Sequence, residues 1–455
     1  MSKTTFPLTL GIDIGTTKVA VVLLEPVSRT VVAYASRPHE SDISGLPRGW
    51  SEQKTERILS ALDGCMEELP GSDRARVAAI GSTGQMHGLV LWNMETRETS
   101  SLITWQDQRC LGDQFLEELR QITGEASLQS GYGLVSLGWL ARHESGSVKR
   151  FQSAGCIHDF VVSSISDSSV SVIDPSDAAS WGFFDLATRS WKVDQIQRAG
   201  IDIALLPEVR SAGSVVGEIS GAYATKWGIP TGVPVCNALG DNQASLHASL
   251  TDPNHQVALT IGTGAQLSVV VDAVPSNVSD ARKSYEYRPY IGSSYIAVAA
   301  SLSGGRALAT LGRALEDFIQ KLGLKHAPTL DQIQSMMHCE GLQKIGTDVV
   351  ADARLGGERH DPHRRGSITN LSFETLTIGD LTAALCRGLV TSLRDALPPA
   401  LLANRREVVG SGNAIRRSAL MQGIIREVFQ AELVLTEGAE PTAAGAALLA
   451  AAALR

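Results

Sequence analysis

The sequence predicts an α/β protein built from two layered domains, and three observations predict it. The chain has 455 residues, more than one hydrophobic core usually organises. Strand-length apolar runs alternate with helix-length amphipathic ones in both halves. One short strand–turn–strand unit also occurs twice. Leu8 to Ile12, the turn Ile14-Gly15-Thr16-Thr17 and Val19 to Leu24 form the first copy; Val257 to Leu259, the turn Ile261-Gly262-Thr263-Gly264 and Leu267 to Val271 form the second. Both read as β-hairpins. Their offset, about half the chain, indicates a duplicated domain rather than a short tandem repeat.

In the first half, Thr30 to Ala35 reads as a third strand, and Ser51 to Leu69 as an amphipathic helix with Ile58, Leu59, Leu62, Met66 and Leu69 on one face. Val77 to Ile80 and Val233 to Leu239 read as further strands, the second passing through Gly240-Asp241 into a helix. The second half repeats the scheme. A strand at Tyr295 to Ala300 precedes a helix from Arg306 to Gly323, and a second helix spans Asp380 to Leu397. Glu407 to Val409 is a short strand that breaks at Gly410-Ser411-Gly412, with a helix following to Phe429. The alanine-rich tail, Pro441 to Ala453, reads as a buried helix with proline in its first turn. The turn chemistry of Thr251-Asp252-Pro253-Asn254 places the domain boundary near residues 245–255.

Composition narrows the function. A net charge of −8 argues against a nucleic-acid surface. Six scattered cysteines without a CxxC pair read as free thiols in a reducing compartment. The opening Met1-Ser2-Lys3-Thr4-Thr5 leads straight into a strand, and no apolar run reaches spanning length, so a cytoplasmic protein without a membrane partner is expected.

Four groups of residues carry chemistry. Asp13 interrupts an apolar strand, where a carboxylate costs free energy unless it is paired or near a metal. Beside a Gly-Thr turn whose N–H groups suit an anion, Mg²⁺ is its natural partner; a turn-capping aspartate is the plainer alternative, and the second turn at Gly262 favours phosphate and metal. The chain contains no GxxxxGK[ST] motif, which excludes a P-loop. Asp241, in Gly240-Asp241-Asn242-Gln243-Ala244, leaves a strand at a helix N-terminus that favours its ionised form. There it reads either as a general base for phosphoryl transfer or as a plain N-cap. The glycines of Gly410-Ser411-Gly412-Asn413, and of Gly304-Gly305, allow a backbone to approach a flat or charged ligand. Finally, Gln85-Met86-His87, Trp105-Gln106-Asp107-Gln108-Arg109 and His158-Asp159 supply the acid, amide, basic and aromatic groups of a polyol site; His87 and His158 also read as satisfied core histidines.

Together these residues resemble the FGGY carbohydrate kinase family, within the actin/hexokinase/Hsp70-like superfamily, in order and across essentially the whole chain. Gly11 to Thr17 is similar to the family's first phosphate motif, Leu259 to Gly264 to its second and Gly410-Ser411-Gly412 to its adenosine motif. Asp241 matches the catalytic base, and Gly357 through Gly366 resembles a segment of the family's second domain. Trp105-Gln106-Asp107 and Ala178-Ala179-Ser180-Trp181-Gly182-Phe183-Phe184 are most similar to the branch that phosphorylates sedoheptulose, whereas Gln85-Met86-His87-Gly88 is shared with kinases of xylulose.

The resemblance implies two ribonuclease-H-like domains with a cleft between them: 1–248, carrying the sugar site, the first phosphate motif and Asp241, and 249–455, binding ATP. It implies ATP and Mg²⁺ as cofactors, with Asp13 and Asp241 at the metal. It assigns Gly15, Thr16, Thr17, Lys18, Gly262, Thr263, Gly264, Gly305, Gly412 and Asn413 to the nucleotide. Gln85, Met86, His87, Trp105, Asp107, Arg109, Asp159 and Asn242 fall to the sugar. Two departures stand out. Lys18 occupies a position that is usually small and polar, its ammonium touching phosphate or simply solvated. Asn413 and Arg416-Arg417 follow Gly412 at a spacing unlike the usual adenosine motif. The expected reaction is phosphorylation of a ketose at its terminal primary hydroxyl, sedoheptulose first and a pentulose such as xylulose as the alternative. The expected partners are the small-molecule sugar and MgATP, with a homodimer left open. A non-catalytic nucleotide and sugar sensor, or an actin-like assembly protein, is the competing class; the presence of both Asp13 and Asp241 argues against it.

Overall fold

The computed structural model describes residues 7–274, 284–323, 326–358, 361, 363–436 and 438–454. Of the segments read from the sequence, Met1 to Thr5 and, within 357–366, Arg359, His360 and Pro362 lie outside the described residues. The chain divides into two compact units. The first holds the residues up to Ser249 with Pro289–Ser293 and Gly438–Arg455; the second holds Leu250–Arg288 and Ser294–Glu437.

The sheet of the first unit is made of β1 (Leu8–Ile14), β2 (Lys18–Glu25), β3 (Thr30–Pro38), β4 (Val77–Gly84), β5 (Val215–Glu218), β6 (Pro234–Cys236) and β7 (Leu239–Gly240). Its order is β5-β6-β4-β1-β2-β3, with β7 also pairing β4. β1 is parallel to β4 and antiparallel to β2. It is buried almost throughout, the pattern of a strand covered on both faces. The second unit has β8 (Gln256–Ile261), β9 (Ala265–Val271), β10 (Tyr285–Pro289), β11 (Tyr295–Ser301), β12 (Glu407–Ser411) and β13 (Glu432–Leu435), in the order β10-β11-β9-β8-β12-β13. Here β8 is antiparallel to β9 and parallel to β12. The series β3-β2-β1-β4-β6 and β11-β9-β8-β12-β13 therefore share order and strand sense, the ribonuclease-H-like arrangement in duplicate. The repeated hairpins close differently. Ile14 pairs with Val19 around four turn residues, and Ile261 pairs with Ala265 around three.

Four expectations change. The helix expected over 51–69 spans Thr55–Glu68, because Glu52–Gln53 is a short strand paired with Leu102–Ile103. The strand expected over 233–239 splits into β6 and β7, since Val235 pairs with Ile80 and Leu239 with Thr83, four steps against three, so one extra residue bulges out of the pairing with β4. The helix expected to reach Phe429 is two helices, Asn413–Arg416 and Ala419–Phe429, the second restarted by the Ser418 hydroxyl accepting from Met421 N. The largest change concerns the division at 248/249. Helix Pro441–Ala450 belongs to the first unit, not the second. Its alanines pack on Val22 and Leu24 of β2 and on Leu239 and Ala244. Small residues permit backbone-to-backbone approach: a Cβ at Gly11 would lie 1.9 Å from the Ala443 carbonyl oxygen, and one at Gly445 would lie 1.9 Å from that of Ala244. This helix thus seats β1, which carries Asp13, against the helix that begins at Asp241.

No helix among the described residues is long and apolar enough to cross a membrane. All six cysteines are free, five of them buried.

Candidate active site

Strand register brings the two candidate acids together. Thr83 of β4 pairs with Asp13 on one side and with Leu239 on the other; Gly84 pairs with Ile14 and Gly240. Asp13 and Asp241 therefore sit at the carboxyl ends of strands flanking β4, the end at which open α/β sheets bind ligands. Asp241 is the first residue of helix Asp241–Ser249, and its Oδ1 accepts from Asn242 N at 2.6 Å. The helix N-terminus favours its charge. The Asp13 Oδ1 is buried and has no hydrogen-bond partner. Burial pushes its carboxyl from 3.8 up to about 8; Asp241 and then Glu440 push the same way, and Lys18 opposes them. A sealed carboxyl oxygen beside further carboxylates is an oxygen-donor set that a hard cation such as Mg²⁺ relieves.

This makes a prediction with a definite sign. The folded state keeps a proton on Asp13 that the unfolded chain releases above 3.8, so stability falls as pH rises from about 4 towards 8. In metal-free buffer Asp13→Asn removes that loss. Its Tm exceeds the parent's by about 4 °C or more at pH 8, and the gain vanishes near pH 4. Thermal scans across this range check it; a gain independent of pH refutes it.

The first turn is held from beneath. The Gly15 carbonyl meets His39 Nε2 at 3.2 Å and accepts from Gln85 Nε2 at 3.4 Å. The Thr16 carbonyl accepts from Gln53 Nε2 at 2.9 Å, and Gln53 Oε1 accepts from Gln85 Nε2 at 3.0 Å. In a trans peptide the N–H points opposite to the C=O. Carbonyls drawn into the protein therefore turn the N–H groups of Thr16 and Thr17 outward, as an anion requires. Lys18 is not simply solvated: its ammonium pairs with Glu440 at 2.6 Å, at the start of the terminal helix.

The expected sugar residues divide. Trp105 is 43 % exposed, and its indole N–H donates to the Thr16 hydroxyl at 3.2 Å, so an open aromatic face lies beside the turn. Met86 packs on Gly240, where a Cβ would meet its sulfur at 2.6 Å. His87 has a left-handed backbone (φ +74°), stacks on Tyr132 with ring centres 5.1 Å apart, and donates from Nδ1 to the Ser180 carbonyl at 2.8 Å. When the ring is neutral, that bond makes Nε2 the acceptor nitrogen.

Asp107, Arg109 and Asp159 are held by contacts within the protein. The Arg109 guanidinium donates to Asp107 at 2.9 and 3.0 Å and to Glu52 at 2.6 Å, and lies 4.0 Å from the Trp50 ring centre. Asp107 also accepts from Ser51 N at 2.7 Å. Both are buried, and their charges neutralise one another and brace the loop that carries Trp105. Asp159 is buried and caps its own helix, Ile157–Ile165, through Cys156 N at 2.8 Å; burial raises its carboxyl well above the usual carboxylate range. Sequence alone showed the acid and base types but not that Glu52 and Trp50 would hold Arg109; the Asp159 Oδ1 stays buried without a hydrogen-bond partner.

In the second unit, Gly262, Thr263, Gly305, Gly412 and Asn413 line one cavity of about 710 Å³, and Gly264 closes the turn by accepting from Gly262 N at 2.8 Å. Gly412 has φ +92°, and a Cβ there would lie 2.3 Å from the Ile261 carbonyl oxygen, so only glycine fits. Arg306, Arg313 and Arg416 line the same cavity. The first two were missed. Their signal was available: arginines seven apart on one face of a helix that opens after Gly304-Gly305.

A duplicated ribonuclease-H-like sheet with a carboxylate-edged strand end in one unit and an arginine-lined, glycine-rich cavity in the other defines the sugar kinase class. The xylulose kinase of Rhodospirillum rubrum superposes with a TM-score of 0.81 at 23% identity, over 98% of this chain and 90% of that one. Residues 8–247 match the N-terminal domain of the FGGY family of carbohydrate kinases, and the chain belongs to that family. It is 34% identical to the sedoheptulokinase of Homo sapiens over 97% of both chains. It is 30% identical to the xylulose kinase of Escherichia coli (strain K12) over 61% of this chain and 57% of that one. The protein is a carbohydrate kinase with the actin/hexokinase/Hsp70-like fold.

Proposed function

We propose that this kinase transfers the γ-phosphoryl group of ATP to the terminal primary hydroxyl of a ketose, with sedoheptulose the preferred acceptor and sedoheptulose 7-phosphate the product. The observation that carries the reading is the placement of Asp241 and Asp13 on either side of β4, beside the turn at Gly15 to Lys18. Asp241, ionised at its helix N-terminus, accepts the hydroxyl proton as the acceptor oxygen bonds to the γ-phosphorus and ADP leaves. Asp13 and Asp241 would hold Mg²⁺, which supplies charge neutralisation at the phosphates. The Thr16 and Thr17 N–H groups receive phosphate oxygens. Trp105, Gln85, Met86, His87 and Asn242 receive the sugar, while Asp107 and Arg109 brace Trp105. The cavity lined by Gly262, Thr263 and Gly412 takes the nucleotide, with Gly264 shaping its turn and Gly305 and Asn413 at its wall.

The choice of sedoheptulose is supported by identity across the full length: the sedoheptulokinase relative is 34% identical over 97% of the chain, whereas a xylulose kinase relative of equal reach, from Staphylococcus xylosus, is 25% identical. A coupled ADP-release screen of ketoses with three to seven carbons, at fixed MgATP, tests the reading. Sedoheptulose is expected to give the highest kcat/KM, with D-xylulose lower by about 10- to 100-fold, since one or two carbons change few contacts. Xylulose ranking first refutes the substrate; no ADP release with any ketose refutes the reaction.

A further inference from the structure

Between the proposed base and the proposed sugar contacts lies a short helix, Pro175–Ser180, that neither role uses. Its two ends hold the two groups. At its start, the Ser176 hydroxyl accepts from the N–H of Gly240, the residue immediately before Asp241, at 3.2 Å and donates to Asp174 at 2.8 Å. At its end, Ser180 receives His87 twice: its hydroxyl accepts from His87 N at 3.2 Å, and its carbonyl accepts from the ring Nδ1 at 2.8 Å. The Ser180 hydroxyl in turn donates to the Asp177 carbonyl at 2.8 Å.

The helix itself is anchored. Asp174 caps it by accepting from Ser176 N and Asp177 N at 3.0 and 3.1 Å. On its inner side Asp177 meets His158 Nε2 at 2.8 Å, with both side chains wholly buried. The His158 ring lies against β4, where a Cβ at Gly84 would be 2.9 Å from its Nδ1. Gly84 is also the residue flanked by Ile14 and Gly240 in the sheet. A left-handed backbone at His87, a non-glycine residue, persists only where its surroundings hold it, and Ser180 is one of the groups that hold it, beside the stacked Tyr132 ring.

We infer that Ser176 and Ser180 are positioning residues, and that helix Pro175–Ser180 sets the spacing between Asp241 and His87 so that acceptor hydroxyl and base meet. The inference rests on the proposed ketose kinase reaction. It assigns separate jobs to the two serines. Ser176 acts on the base, and so on the chemical step. Ser180 acts on the sugar-binding histidine, and so on acceptor binding. A misplacement of about 1 Å in such a constellation costs on the order of 100-fold in rate.

Steady-state kinetics of the full chain with sedoheptulose and MgATP, beside thermal scans, test it. Ser176→Ala lowers kcat about tenfold and leaves the ketose KM within about twofold. Ser180→Ala raises the ketose KM about tenfold and leaves kcat within about threefold. Ser176→Thr, which keeps the hydroxyl, restores kcat to within about threefold of the parent. Ser176→Cys, nearly isosteric but a far weaker acceptor, shifts kcat in the same direction as alanine and decides the matter if the alanine variant does not fold. A helix that merely supports the fold would move kcat, KM and Tm together in both alanine variants. That outcome overturns the inference, as does parental behaviour in both. If the parent turns over sedoheptulose normally but the split is absent, the inference alone falls. If the parent phosphorylates no ketose, the proposed function falls and takes the inference with it.

Discussion

Asp241→Asn is expected to phosphorylate sedoheptulose at less than about a thousandth of the parent rate while still folding and binding nucleotide. The amide keeps the shape of the side chain but cannot take a proton. Loss of a general base costs about 10²–10⁴ in rate. Loss of one carboxylate from the pair with Asp13 weakens charge neutralisation as well, placing the effect toward the upper end. Nucleotide affinity should change little, because the cavity lined by Gly262, Thr263 and Gly412 belongs to the other unit of the chain. Product formation followed by mass, with calorimetric titration of ATP, checks both halves. The same variant carries an independent marker. Asp241 is the second-largest cause of the raised Asp13 carboxyl, so removing its charge lowers that carboxyl's folded-state pKa, and the pH-dependent loss of stability becomes smaller and ends at a lower pH. Turnover within tenfold of the parent would remove Asp241 from the mechanism.

Gly445→Val is expected to prevent folding or to lower Tm by more than about 10 °C. A Cβ at this position would stand 1.9 Å from the Ala244 carbonyl oxygen and 2.6 Å from its carbon. Both are backbone atoms, so no side-chain rotation relieves the clash; the terminal helix and the helix behind Asp241 must separate. The packing of Ala443, Ala446 and Ala447 on both neighbours is lost with them. Overpacking a well-filled interior costs about 1–3 kcal/mol even where side chains can shift, and more where they cannot. Any variant that folds should lose activity as well, since Asp241 moves with its helix. Gly146→Ala is the control: a Cβ there meets nothing within 4 Å, and its Tm should stay within about 2 °C. Circular dichroism melts of the two variants decide the matter.

Much of this architecture was legible because its signals are local. The hairpins at Gly15 and Gly262 announced themselves through apolar strands around small turn residues, and the matching strand orders show why the two stretches look alike. Asp13 and Asp241 were legible as acids at the ends of apolar strands, Asp13 inside its strand and Asp241 at a helix start where Asn242 N also reaches it. Other contacts were not legible in the sequence. Asp107 and Arg109 look like ligand groups from the sequence, but Glu52 and Trp50 reach Arg109 only through folding, whereas the Cys156 N that Asp159 caps lies only three residues away. Glu52 and Gln53 were lost inside an expected helix because the strand that claims them, Leu102–Ile103, lies far along the chain. The Lys18–Glu440 pair joins residues from opposite ends of the chain, beyond any local pattern.

By itself, then, the amino-acid order determined the repeated hairpins, the alternation of strands and helices, and the two acids that an apolar strand cannot tolerate without a purpose. Each follows from short-range stereochemistry and from the cost of burying charge. Only the tertiary structure decided that the last helix returns to the first unit, that Arg306 and Arg313 line a cavity with the second turn, and that one six-residue helix ties His87 to Gly240, the residue before Asp241. Those arrangements depend on how closely backbones can approach and which distant groups neutralise one another, and neither quantity exists until the chain has folded.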